Sequence, residues 1–182
     1  MSKKISLTTD YLIIGAGAMG MGFLDELINN SSDLKAIIVD KRDKPGGHWN
    51  DAYSFVRLHQ PALTYGVNSR TLGVGGVDLA SKSQILSHFE RALADLLDTG
   101  RVTFLSQCQY VGDGKARSLL DDDLQYEVKY RRKLVDATHC ETHVPATSKP
   151  NFTVEEGVNF VPVNGESLTL SMDRLFQPLV QA

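Results

Sequence analysis

Six consecutive residues, Gly15-Ala16-Gly17-Ala18-Met19-Gly20, constrain this 182-residue chain more than any other stretch, because of what stands on either side of them. Before them, residues 11–14 form a short apolar run that reads as a buried parallel strand. After them, Met19, Phe23, Leu24, Leu27 and Ile28 recur at helical spacing, and the polar residues 29–33 end that stripe. A second buried strand follows at residues 36–39. Strand, helix and strand in about 30 residues make a βαβ unit, whose crossover is right-handed. A GxGxxG turn in that position accommodates a diphosphate. Gly15 permits the tight turn, Gly17 lets bare backbone approach the ligand, and Gly20 lets the helix lie close on the strand. The free N–H groups of the opening turn, those of Ala18 and Met19 among them, then face the anion. The helix dipole adds about 0.3–2 kcal/mol to their hydrogen bonds. Asp40, at the end of the second strand and twenty residues after Gly20, is placed to accept both hydroxyls of an adenosine ribose.

The rest of the chain extends the same class. Residues beyond Asp40 form a long stretch rich in Gly, Pro and Asn, and structureless stretches of more than about 15 residues are uncommon in compact domains unless they do something, such as wrap a ligand. Residues 81–97 predict a helix capped by Ser81 or Ser83, with Ile85, Phe89, Leu93, Leu96 and Leu97 on one face and His88 on the surface; Gly100 stops it. Residues 102–105 predict a third strand. Residues 109–111, 118–120 and 126–130 predict a small antiparallel meander, with turns at Gly112-Asp113-Gly114 and Asp121-Asp122-Asp123. Residues 134–137 predict a fourth parallel strand. The fold expected is therefore α/β: a Rossmann-like parallel sheet with helices and a small antiparallel β-meander. Residues 1–164 form the dinucleotide-binding domain, and residues 165–182 form a helical tail. The tail's stripe of Leu168, Met172, Leu175, Phe176 and Leu179 either closes the core or begins an interface with a protein partner or a second copy of the chain.

Several function classes drop out. Nineteen Lys and Arg against twenty-two Asp and Glu leave a formal charge of −3, which gives no basic excess for nucleic acid or an anionic membrane surface. No apolar run approaches the roughly 20 residues of a membrane span, and no export signal precedes the glycines. Two cysteines, Cys108 and Cys140, without CxxC spacing, suit buried free thiols in a reducing cytoplasm. The His139-Cys140-Glu141-Thr142-His143 segment carries ligand-type residues but has no helix to put both histidines on one face, so no metal is expected. No GxSxG elbow follows a strand, which removes hydrolase chemistry.

The choice of dinucleotide turns on Asp40-Lys41-Arg42-Asp43-Lys44-Pro45-Gly46-Gly47-His48-Trp49. A plain NAD-dependent dehydrogenase has no need of this second glycine pair. Gly47 brings backbone to a phosphate or a flavin ring, Trp49 offers a flat apolar surface, and Arg42 can stack on adenine. GxGxxG, a carboxylate ending the second strand and GGxW soon after resemble the FAD-binding half of flavin-containing monooxygenases, a pattern shared by Baeyer–Villiger monooxygenases and related flavoproteins with two dinucleotide domains. The likeness extends to Tyr65, to residues 102–111 and to Val135-Asp136-Ala137-Thr138, about the first 165 residues in all. It implies FAD as cofactor, NADPH as reductant in a complete enzyme, and a backbone contact from Cys108, in the slot of a family valine, to adenine. It also implies that Lys41, Arg42 and His48 lie in the cofactor loop. Where the family strand ends in Ala-Thr-Gly, His139 replaces the glycine. The family's second GxGxxG and its late Gly-Asp pair do not follow Thr138, so the chain reads as the front of a longer enzyme, or as a non-catalytic dinucleotide-binding module. His48 and His59 are loop histidines that bond backbone or polarise a ligand. Arg57 attracts a nicotinamide cofactor's phosphate or is merely solvated. Arg131-Arg132-Lys133 reads as a charged hairpin edge.

Overall fold

The computed structural model describes residues 3–138 and 151–157. The predicted tail helix and the His139 to His143 segment lie outside them, as does Cys140. The elements are β1 (Lys3–Ile14), α1 (Ala18–Asn29), β2 (Ala36–Val39), α2 (Lys82–Asp98), β3 (Val102–Leu105), β4 (Cys108–Gly112), β5 (Lys115–Ser118) and β6 (Leu124–Asp136). They build one six-stranded sheet in the order β3-β2-β1-β6-β5-β4. β3, β2, β1 and β6 run parallel, while β6, β5 and β4 alternate in direction. This is the expected α/β fold, parallel sheet and meander together. Among the described residues no helix is long and apolar enough to cross a membrane.

Successive strand residues face opposite sides, and both sides are covered. Ile13, Ala36 and Ile38 pack with α1, α2 and the long loop. Leu12, Ile14, Ile37 and Val39 pack with Leu105, Cys108, Ala116 and Val128, because the sheet curls and brings the meander over that face. The curl is locked where the Cys108 N–H donates to the Asp40 carbonyl at 2.9 Å, joining β4 to the end of β2.

The long loop is not a loose wrap. Two 3₁₀ turns, Gly47–Asn50 and Ala62–Thr64, order it, and Trp49, Leu58, Ala62, Val67, Leu72 and Ala80 are buried against the helices. Buried Asp25 of α1 anchors it: its carboxylate accepts the Ser69 N–H at 3.0 Å and the Ser69 hydroxyl.

Several expectations need correction. β1 begins at Lys3, since Ile5, Leu7 and Thr9 alternate toward the covered face and pair with β6 from Lys3↔Leu124 onward. β6 is one strand of 13 residues where the sequence suggested a meander strand and a separate parallel one. Arg131 is not on a hairpin edge: a register shift at Asp10 sets its guanidinium 2.8 Å from the Asp10 carboxylate. β5 lies earlier than expected, and residues 119–120 lead into the turn instead. The apolar face of α1 is rotated to Met21, Leu24 and Ile28, which leaves Met19 68% exposed and Phe23 leaning on Tyr11. On α2, Leu97 is partly exposed, while His88 is buried because its Nε2 accepts the Val67 N–H at 3.1 Å.

Candidate dinucleotide site

The carboxyl ends of β1, β2 and β6 converge on a cleft of about 590 Å³, lined among others by Gly15, Gly17, Asp40, Arg42, Cys108 and Thr138. Crevices outside the carboxyl ends of parallel strands are where open α/β sheets bind ligands. The glycine turn forms its floor. Gly15 sits at φ +95°, and a Cβ there would lie 2.9 Å from the Thr138 methyl; its N–H donates to the Val39 carbonyl at 2.8 Å. Gly20 is bare for another reason: a Cβ would lie 1.8 Å from the Gly15 carbonyl oxygen, so α1 sits on the strand end at a distance no side chain allows.

Gly17 is the N-cap of α1, with no capping side chain and no acidic residue in the first turn. The helix therefore opens with its N–H groups unsatisfied by side chains and its dipole uncompensated. The 3₁₀ turn at Gly47 lies directly against it. A Cβ on Gly47 would stand 2.9 Å from the Gly17 Cα, and the Gly46 N–H donates to the Ala16 carbonyl at 2.8 Å. Two glycine segments thus meet backbone to backbone at the helix mouth.

Asp40 is buried beneath this turn. Its Oδ2 accepts the Ala16 N–H at 2.6 Å and its Oδ1 accepts the Arg42 N–H at 2.8 Å. Each carboxylate oxygen keeps a further acceptor site, enough for a pair of vicinal hydroxyls. The Arg42 guanidinium pairs with Asp51 on the cleft wall. Burial first, and the Arg42 charge second, push the His48 imidazole below its ordinary pKa, so it is neutral at pH 7. Burial pushes the Cys108 thiol up, which makes it an inert core thiol.

No family model matches the chain. It is 42% identical over 170 residues to uncharacterised proteins of Mycobacterium tuberculosis (strain H37Rv) and Mycobacterium bovis, an alignment covering 87% of this chain and 31% of theirs. The chain thus spans about a third of the length of the curated relatives it matches. Among solved structures it resembles a flavin-containing monooxygenase from Stenotrophomonas maltophilia, with TM-score 0.52, 19% identity, and 72% of this chain and 38% of that one covered. Bacillithiol disulfide reductase from Staphylococcus aureus superposes with TM-score 0.55 at 12% identity, over 72% of this chain and 38% of that one. A cyclohexanone monooxygenase mutant from Rhodococcus sp. Phi1, bound to NADP⁺, gives TM-score 0.53 at 21% identity over 79% and 28%. The chain has the FAD/NAD(P)-binding Rossmann-like fold.

Within this fold, Gly15, Gly17, Asp40, Lys41, Arg42, His48 and Cys108 line one cleft. Gly20 supports it from beneath, and Gly47 borders it through Gly17. Ala18 and Met19 do not line the cleft, and Met19 is 68% exposed. Trp49 is not on the cleft wall. It is 8% exposed, with its indole N–H donating to the Tyr65 hydroxyl at 2.7 Å, so it fixes the loop from within the core. Arg57 donates to the Leu79 carbonyl at 3.0 Å, and exposed His59 lines no part of the cleft. The Cys108 N–H already serves the Asp40 carbonyl, so a backbone contact from this residue to a ligand falls to its carbonyl. Sequence reading missed Asp51 and Asp136 on the cleft wall. Asp51 carried no signal, since only the 3₁₀ turn brings it back to Arg42. Asp136 was visible as the last residue before Ala137-Thr138, and its carboxylate accepts the Thr138 N–H at 2.9 Å. Among the described residues no cluster of His, Cys, Asp and Glu could hold a metal ion.

Proposed function

We propose that this chain is the FAD-binding part of an NADPH-dependent flavin oxidoreductase of the monooxygenase type. The observation carrying the reading is the mouth of α1: uncapped, free of acid in its first turn, and faced by bare Gly17 and Gly47 backbone. Such a cradle suits a diphosphate, and a Cβ on either glycine would begin to fill it. The backbone N–H groups of Gly17, Ala18 and Met19 would hold the diphosphate. Asp40 would accept the ribose hydroxyls of the adenosine half, Arg42 would lie over adenine, and the Cys108 carbonyl would meet its edge. Bound flavin supplies the hydride and oxygen chemistry, and the chain's own part is to bind and orient it. Neutral His48 and the Arg42–Asp51 pair border the cleft without adding net charge against the diphosphate.

Titrating the purified chain with FAD, FMN and NAD⁺ while following flavin fluorescence and competition tests this. FAD should bind, ADP should displace it, and FMN, which lacks the adenosine half, should bind at least tenfold more weakly. Equal binding of FMN and FAD, or tighter binding of NAD⁺ than of FAD, would overturn the assignment.

A further inference from the structure

A second cavity, of about 320 Å³, lies between the outer side of α2 and residues 70–73, and shares no lining residue with the dinucleotide cleft. Its walls carry Arg70, Thr71, Ser83, Ser87, His88 and Arg91, and none of its nine lining residues is Asp or Glu. Three donors there lack acceptors. Arg70 Nε is buried and makes no hydrogen bond, although the far end of the same guanidinium pairs with Asp95. His88 is 4% exposed, and because its Nε2 accepts the Val67 N–H, the ring proton stands on Nδ1, which bonds nothing among the described residues. Arg91 has no ion-pair or hydrogen-bond partner among the described residues. The hydroxyls of Thr71, Ser83 and Ser87 supply further donors.

A buried donor without an acceptor is costly, the more so when the group is charged. Arg70 Nε is the one such atom among the described residues, and together with the unbonded Nδ1–H of His88 and the free Arg91 guanidinium it forms a surface that a negatively charged acceptor completes. We infer that this cavity binds a small oxoanion-bearing molecule, through forked contacts from Arg70 and Arg91 and a hydrogen bond from His88 Nδ1. Phosphate fits better than carboxylate, since the donors approach from α2 and from the loop and a tetrahedral group presents oxygens in both directions. The cavity also exceeds a bare ion, which leaves room for the small organic part of a phosphate ester.

The test is calorimetric titration of the full chain with inorganic phosphate at constant ionic strength, with imidazole resonances followed by NMR. A parallel titration uses acetate. Wild type should bind phosphate and shift the His88 signals, and Arg91→Gln, a change at an exposed residue, should weaken binding at least tenfold. Gly17→Ala should leave this binding unchanged, which separates it from any phosphate captured at the mouth of α1. Acetate binding with the same dependence on Arg91 also supports the site and makes a carboxylate its ligand. Absence of binding, undiminished binding by Arg91→Gln, or loss in Gly17→Ala alone would overturn the inference.

Discussion

Gly17 and Gly20 belong to one motif, yet their backbone surroundings assign them different work. Gly17 has φ −76°, open to any residue, and a Cβ there would make ordinary contact at 3.5 Å with the Gly47 Cα. Gly17→Ala should fold as wild type, with an unchanged urea midpoint, and bind FAD at least tenfold more weakly. Gly20→Ala drives a Cβ into the Gly15 carbonyl, which cannot move without shifting strand or helix. It should lose stability by about 1–3 kcal/mol or more in the same urea experiment. Identical behaviour of the two variants would refute the division of roles. His88 yields a pH prediction. Burial first, and the Arg70 charge second, hold its imidazole below the ordinary value near 6.5. The unfolded chain then binds the proton more readily, so this residue's contribution to stability is complete above about pH 6.5 and declines as the pH falls below it. In phosphate-free buffer, His88→Gln should flatten that acid limb. An unaltered slope would show that another group titrates there.

At the scale of elements, what was legible was whatever depends on near neighbours. Asp113-Gly114 closes the β4–β5 hairpin with both residues at positive φ, the demand of the type I′ turn for which this dipeptide is suited. Ser81 caps α2 through a reciprocal box, its hydroxyl accepting the Gln84 N–H while the Gln84 side chain accepts the Ser81 N–H at 2.8 Å. Ser81→Ala should therefore cost about 1 kcal/mol in thermal or urea unfolding. A change under a few tenths would show that the box contributes little. What was not legible depends on a distant partner. The continuity of β6 through Arg131, Arg132 and Lys133 is set by β1, more than a hundred residues earlier, whose Asp10 receives the Arg131 charge. Asp10 itself is held below the usual carboxylate range, chiefly by the Lys35 N–H and then by the two arginines. No local pattern in a run of cations announces such a partner. The rotation of α1 has the same origin: the face that turns inward is decided by the loop that Asp25 ties down, 44 residues away.

In the whole molecule, the site lies where three strand ends, one helix mouth and the curled meander meet, and no one of these closes the cleft alone. The motif placed Gly15, Gly17 and Asp40 together from sequence because they belong to one βαβ unit. Cys108 joined them only through the resemblance, and Asp51 not at all, because each arrives by a tertiary path. The consequence is thermodynamic. A ligand seated across β1, β2, β4 and α1 holds in register elements that must all separate on unfolding, so its full binding free energy adds to stability. At a hundredfold excess over its dissociation constant, FAD should add about 2.7 kcal/mol. For a chain of this length that is a rise of about 5–10 °C in Tm. The apo Tm of Gly17→Ala should match wild type while its FAD-induced rise at the same FAD concentration falls to about half or less, since the variant loses ligand affinity and not packing. Inorganic phosphate bound beside α2 should still raise the Tm of that variant, because it touches none of the same residues. If FAD raises the Tm of Gly17→Ala as much as that of wild type, the cofactor sits elsewhere and the uncapped helix is only a packing solution.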